Sequence, residues 1–162
     1  DVIAVGKIFD IFDGEGVTEK IKTTGNTNGI AFTKALQTRD FEGLAFVNLV
    51  DFDMLYGHRR DVTGYAAAAT EFDQFLADFI PGMRDGDLLM VTADHGCDPS
   101  YTKTTDHTRE YVPYLICGKN VKPGTDLGTK LCFGTIAHTI CDYLGVDAST
   151  LDGQSVLHEI MD

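Results

Sequence analysis

Aspartate and histidine stand close together in three short stretches of this 162-residue chain. In "DFDMLYGHRRD", Asp53 and His58 lie five residues apart, and in "TADHG", Asp94 and His95 are adjacent. A carboxylate and an imidazole form a mixed ligand set that suits manganese, zinc or iron better than calcium. The structural alternative is that the acids cap turns and the histidines lie on the surface or begin a helix.

The third stretch, "TTDHTREYVP", adds Asp106 and His107. The first two stretches directly follow the apolar runs "LAFVNLV" and "LLMV", which are typical of buried strands, and the third precedes another strand. In open α/β sheets, ligands collect at the carboxyl ends of the strands. Three loops would therefore bring Asp and His to one side of one sheet, as a two-metal site for phosphoryl transfer requires.

Strand and helix patterns alternate along the chain, which positions these loops. Strands are predicted over residues 2–5, 44–50, 87–92 and 112–117. Helices are predicted over 28–36 with Asn26 or Thr27 near the N-cap, over 64–80 with Pro81 and Gly82 ending it, and over 135–144 before Gly145. Such alternation implies right-handed crossovers, so the predicted fold class is α/β, a mainly parallel sheet with flanking helices.

Other basic and imidazole groups receive different interpretations. His138 and His158 fit helix faces and are predicted to be structural. Arg59 and Arg60 could clamp phosphate, but beside an aspartate at a helix start they more often form local ion pairs. Lys7 follows the first strand, at the sheet edge, and is the stronger candidate for contact with an anionic substrate. The alternative for Lys7 is an ordinary solvated lysine without a role in binding.

Composition limits the classes of function. The 162 residues and the 43% hydrophobic content suit one globular domain. A formal net charge of −12 argues against binding to the nucleic-acid backbone, which needs a basic patch. No long apolar run or basic leader is present, which predicts a cytoplasmic protein without membrane contact. The four cysteines lack zinc-ligand spacing, and three lie in or beside apolar segments, so buried free thiols are expected.

Taken in order, "GKIFDIFDGEG", "NLVDFDMLYGHRRD", "TADHG" and "TDHTREYVP" resemble the phosphopentomutases of the alkaline phosphatase superfamily. The resemblance implies an alkaline-phosphatase-like α/β core with two divalent metal ions, usually manganese, and a smaller cap domain inserted elsewhere. Residues 1–162 would then be the carboxyl-terminal part of the metal-binding catalytic core, without the cap. The remaining amino-terminal core and cap of the same protein would be its partners.

The resemblance also implies roles for individual residues. Asp53, His58 and His107 would hold one metal, while Asp94 and His95 would be part of the set for the other. The family completes that second set with an aspartate and a nucleophilic threonine from the amino-terminal portion, so no catalytic nucleophile is expected in this chain. Lys7 would face the phosphate or sugar of the substrate.

The implied activity is an isomerase reaction of pentose phosphate and nucleotide metabolism. It interconverts ribose 5-phosphate and ribose 1-phosphate, or the deoxyribose counterparts, through a phosphothreonine and a bisphosphate intermediate. One rival is another enzyme of the superfamily, a phosphatase or a cofactor-independent phosphoglycerate mutase, because metal ligands do not encode the acceptor. The other rival is a non-catalytic metal-binding module.

Overall fold

The computed structural model describes residues 1–161, and its first sheet is parallel throughout. Its strands are β1 (Val2–Val5), β2 (Glu19–Ile21) and β3 (Leu44–Val47), in the order β2-β1-β3. The central strand β1 is the most buried, since Ile3, Ala4 and Val5 are each at most 1% exposed. A parallel sheet between helices confirms the predicted α/β class. The short strand β2 was missed because "EKI" has no run of apolar residues.

The remaining strands, β4 (Leu89–Thr92) and β5 (Tyr114–Cys117), form a separate two-stranded sheet. The expectation that the strands beside the three loops share one sheet is therefore wrong within residues 1–161. Residue patterns identify strands, but the path of the connections decides which strands pair. The strand β4 is also only half-buried, and Thr92 is exposed, in contrast to the expected strand buried on both faces.

Residues 1–161 contain five α-helices: α1 (Ile8–Ile11), α2 (Asn26–Leu36), α3 (Val62–Phe79), α4 (Gly134–Leu144) and α5 (Leu157–Ile160). The N-cap of α2 is Gly25 rather than Asn26 or Thr27. A 3₁₀ turn, Ile80–Gly82, follows α3 and contains Pro81, as expected for a helix stop. At the end of α4, Gly145 adopts the left-handed conformation, with φ of 66°, that favours glycine at this position.

The sheet β2-β1-β3 carries the core of the first of two compact units, residues 1–83 with 91–115. Ile3, Val5 and Leu36 form the buried cluster, and half-buried Ile21 and Val47 pack against it. This core fixes the carboxyl ends of β1 and β3, where Lys7 and the first Asp–His stretch begin. The expectation of a single core part spanning 1–162 remains a prediction, and Asp162 lies outside the described residues.

The second compact unit consists of residues 84–90 and the described residues from 116 onward. Its buried polar centre is Thr139 of α4, whose hydroxyl donates to the carbonyl of Thr135 at 2.7 Å and accepts from the amide of Val156 at 3.1 Å. His138 and His158 lie on α4 and α5 of this unit, as predicted, and their structural roles stay a prediction.

All four cysteines are free thiols, as predicted. Their burial differs from the expectation, because Cys132 is exposed and the other three are half-buried. Within residues 1–161, no helix combines the length and the hydropathy needed to cross a membrane.

Candidate metal centre

A π-helical turn, Phe52–Gly57, follows β3 and places the first Asp–His pair. The amide of His58 donates to the carbonyl of Asp53 at 3.0 Å, five residues earlier. In a regular α-helix, residues five apart are rotated by about 140° from each other, so their side chains diverge. The wider π turn brings both side chains to one side, which leaves 3.3 Å between His58 Nε2 and Asp53 Oδ1.

Gly57 is required at the end of this turn because of close packing. Its backbone conformation does not demand glycine, since Gly57 is not among the glycines with positive φ. It is buried, and a Cβ there would overlap the Sγ of Cys97 and approach the carbonyl oxygen of Phe52 to 2.9 Å. A side chain at this position would separate the turn from the chain segment after β4.

His107 approaches the same carboxylate from the third loop. Its Nε2 lies 3.4 Å from Asp53 Oδ1, and its ring centroid lies 4.9 Å from that of His58. One ligand atom from each of Asp53, His58 and His107 lies within 4.8 Å of the other two. The amide of His107 donates to the carboxylate of Asp106 at 2.8 Å, so Asp106 shapes the loop next to the cluster.

The donor chemistry of this cluster fits a divalent cation. Asp53 Oδ1 is a buried acceptor that has no hydrogen-bond partner in the described part of the chain, and a buried polar atom of this kind is costly. Both imidazole Nε2 atoms face the same oxygen. A cation among the three side chains would satisfy Asp53 Oδ1 and accept the lone pairs of both imidazoles.

The other ring nitrogen of His58 already has a partner. Its Nδ1 lies 2.5 Å from the carbonyl oxygen of Thr105, and because a carbonyl only accepts, Nδ1 must carry the proton. This hydrogen bond orients the ring and leaves the Nε2 lone pair free for a metal. Sequence reasoning could not find Thr105, because its contribution is a backbone carbonyl that any residue type provides.

His95 joins the cluster by stacking, whereas Asp94 stays at its margin. The rings of His95 and His107 stack with centroids 3.6 Å apart and an interplanar angle of 19°. The Asp94 side chain is 82% exposed, and its Oδ1 lies 3.7 Å from His95 Nε2. Within the described residues, these two side chains do not belong to a group of three potential ligands. The structure therefore brings together Asp53, His58 and His107, with His95 stacked on His107, while the placement of Asp94 in a metal site stays a prediction.

Two nearby acids turn out to have structural roles. Asp51 accepts from the amide of Asn26 at 2.7 Å and so holds the start of α2, and its own amide donates to the side chain of Asn26. Asp61 accepts from the amide of Gly64 at 2.9 Å and caps α3. Instead of the local ion pair expected beside Asp61, the guanidinium of Arg60 donates hydrogen bonds to backbone carbonyls of the site loops.

Lys7 lies at the carboxyl end of β1, as predicted. Its side chain is exposed, and Nζ lies 2.8 Å from the Sδ of Met54 in the π-helical turn. Gly6 makes the sharp exit from β1 possible, with φ of 84° and a position where a Cβ would lie 2.6 Å from the carbonyl oxygen of Asn48. The ammonium group therefore lies beside the residue that follows Asp53.

Burial sets the protonation of two groups around the cluster. It raises the pKa of the Cys97 thiol, and the neighbouring carboxylate of Asp53 raises it further. Burial also raises the pKa of Tyr65, with smaller contributions from Cys97 and Asp53. Both groups stay neutral at physiological pH, so they add no charge that competes with Asp53 for a cation.

Comparisons with known proteins agree with this chemistry. The family model described as the Metalloenzyme superfamily matches residues 4–148. A protein of Lachnoclostridium phytofermentans named phosphopentomutase is 53% identical over 160 residues, which is 99% of this chain and 40% of that relative. Proteins of the same name from Acetivibrio thermocellus and Desulfitobacterium hafniense are 51% and 48% identical over 160 residues. The chain thus spans about 40% of the length of these relatives.

Proposed function

This chain belongs to the Metalloenzyme superfamily, and we propose that the whole protein is a phosphopentomutase that interconverts (deoxy)ribose 5-phosphate and (deoxy)ribose 1-phosphate. One observation carries the proposal: relatives of that name are 48 to 53% identical over 160 residues of this chain. The resemblance includes the segments that build the Asp53, His58 and His107 cluster, which supports binding of a divalent metal.

The metal in this proposal is Mn²⁺, held by Asp53, His58 and His107. The mixed carboxylate and imidazole set supports this choice, as does the unpartnered Oδ1 of Asp53. Asp94 and His95 belong to a second metal site. The other ligands of that site, and the nucleophilic threonine, lie in parts of the protein outside this chain. The pair has too few donors to hold an ion by itself within residues 1–161.

A metal here would lower the pKa of a bound hydroxyl and neutralise charge on a phosphoryl group during transfer. The side chains of this chain prepare that chemistry. Asp53 supplies a half-buried carboxylate whose Oδ1 atom is buried, and His58 is held in one tautomer by the carbonyl of Thr105. The stacked rings of His95 and His107 connect the two proposed ligand sets by direct contact.

Lys7 is proposed to contact the phosphate or sugar of the pentose phosphate and of the bisphosphate intermediate. Its exposed ammonium group at the carboxyl end of β1 supports this role. In the whole protein, Lys7→Met should raise KM for ribose 5-phosphate while the bound metal content stays unchanged. Loss of metal together with activity in that variant would instead place Lys7 in the support of the metal centre.

The decisive experiment offers ribose 5-phosphate to the whole protein with Mn²⁺ and follows two products. We expect ribose 1-phosphate to accumulate, with little release of inorganic phosphate. Release of phosphate without isomerisation would refute the mutase assignment and favour a phosphatase of the same superfamily. Binding of Mn²⁺ without turnover of either kind would favour a non-catalytic metal module.

A further inference from the structure

The guanidinium group of Arg60 uses all of its donors on backbone carbonyls. Its Nε donates to Thr104 at 2.8 Å, and Nη1 donates to Gly57 and Asp98, each at 3.1 Å. Its Nη2 donates to Thr104 and Asp106. Since a guanidinium carries five N–H donors, this set of bonds satisfies the group completely.

The accepting carbonyls lie next to the proposed metal ligands. Gly57 directly precedes His58, and Asp106 directly precedes His107. Asp98 lies three residues after His95, in the segment that follows β4. One planar group therefore connects the turn that ends at His58 with two loop segments much further along the chain, which carry His95 and His107.

The backbone of Arg60 is shaped for this contact. Its φ of 55° lies in the left-handed region, which is uncommon for a residue with a Cβ. The side chain is half-buried, and it points back over the end of the π-helical turn towards the carbonyl of Gly57. An unfavourable backbone conformation that persists beside a functional cluster indicates that the surrounding contacts hold it there.

We propose that Arg60 is a positioning residue of the metal centre: it fixes the turn before His58 and the loop before His107 in the geometry that lets both imidazoles face Asp53. The inference rests on the proposed metal site and assigns to Arg60 no contact with substrate. Lysine could not replace it, because an ammonium has three donors on a flexible stem and cannot bridge four carbonyls in a plane.

The test measures Mn²⁺ affinity of the whole protein by calorimetry and the absorption spectrum of the Co²⁺-loaded protein. Arg60→Ala and Arg60→Lys should each weaken Mn²⁺ binding by about 10–100-fold, as loss of outer-shell support does elsewhere, and should alter the Co²⁺ spectrum. Asp61→Ala is the control for stability, because it removes the cap of α3 without touching the loops. Arg59→Ala is the control for charge, since Arg59 is exposed. Both controls should keep the parental affinity and spectrum.

Two results would overturn the inference, and they are distinguishable. If Asp53→Asn weakens Mn²⁺ binding but both Arg60 variants bind Mn²⁺ with parental affinity and spectrum, the metal site stands and the role of Arg60 is wrong. If Asp53→Asn leaves metal binding intact, the proposed metal site and the role of Arg60 are both wrong. Should Arg60→Ala fail to fold, Arg60→Lys, which keeps the charge and the stem, decides the question alone.

Discussion

Replacing His107 by alanine should remove most of the stabilisation that the whole protein gains from Mn²⁺. His107 is one of three side chains whose ligand atoms lie within 4.8 Å of one another. Loss of even an outer partner weakens metal sites by about 10–100-fold, so loss of a direct ligand should weaken this one by at least about 100-fold. His138→Ala provides the matched control, because that half-buried histidine lies on α4 in the other compact unit.

The size of the effect follows from linkage. At a metal concentration about 100 times Kd, binding stabilises the folded protein by about 2.7 kcal/mol. If Kd rises about 100-fold at the same concentration, the stabilisation falls to about 0.4 kcal/mol, a loss of about 2.3 kcal/mol. His138→Ala should cost about 1 kcal/mol both with and without metal, so its metal-dependent gain stays intact.

The assay is thermal unfolding of each variant, once with Mn²⁺ and once after treatment with a chelator. The quantity compared is the difference in Tm between the two conditions. This difference should shrink by several degrees in His107→Ala and remain parental in His138→Ala. A parental difference in His107→Ala, together with a lost one in His138→Ala, would refute the assignment of the histidines and much of the proposed metal centre.

Asp53→Asn should weaken Mn²⁺ binding, measured by calorimetry, by about tenfold or more. Asp51→Asn, the same loss of charge two residues earlier, should leave the Mn²⁺ affinity unchanged and lower the stability of the protein by about 0.5–1 kcal/mol through the start of α2. Equal losses of affinity would contradict the division of roles between the two acids. Gly57→Ala should destabilise the protein by about 1–3 kcal/mol in denaturant unfolding, and Cys97→Ala in the same chain should recover part of that loss by removing Sγ. If the free-energy changes of the two substitutions simply add in the double variant, the new methyl group and Sγ are not in contact. Burial raises the pKa of Cys117, whereas Cys132 is exposed, so a thiol reagent at mildly alkaline pH should modify Cys132 before Cys117. Mass spectrometry follows the order of modification, and the opposite order would contradict the burial of these two thiols.

The chemistry of the site was readable from the sequence. The types and order of the Asp–His stretches predicted a metal cluster before any geometry was known, because each stretch follows or precedes a strand and strand ends hold their loops in place. The strong local signals also predicted secondary structure well. The strand Val2–Val5 has the predicted bounds. The helix α4 ends before Gly145, as predicted, because glycine readily adopts the left-handed conformation that ends a helix.

Only the tertiary structure decided how the cluster is assembled. Residue type alone does not separate Asp51 from Asp53, and only the resemblance singled out Asp53. The structure gives the physical reason, because a π-helical turn directs Asp53 towards His58 while Asp51 holds α2. The strand neighbours likewise depend on the paths of the connections, so β4 and β5 pair apart from the first sheet. The contacts of Arg60 go to backbone carbonyls, which every residue type carries. Because a backbone carbonyl is the same in every residue, the sequence cannot indicate which carbonyls accept from Arg60, and only the folded chain reveals them.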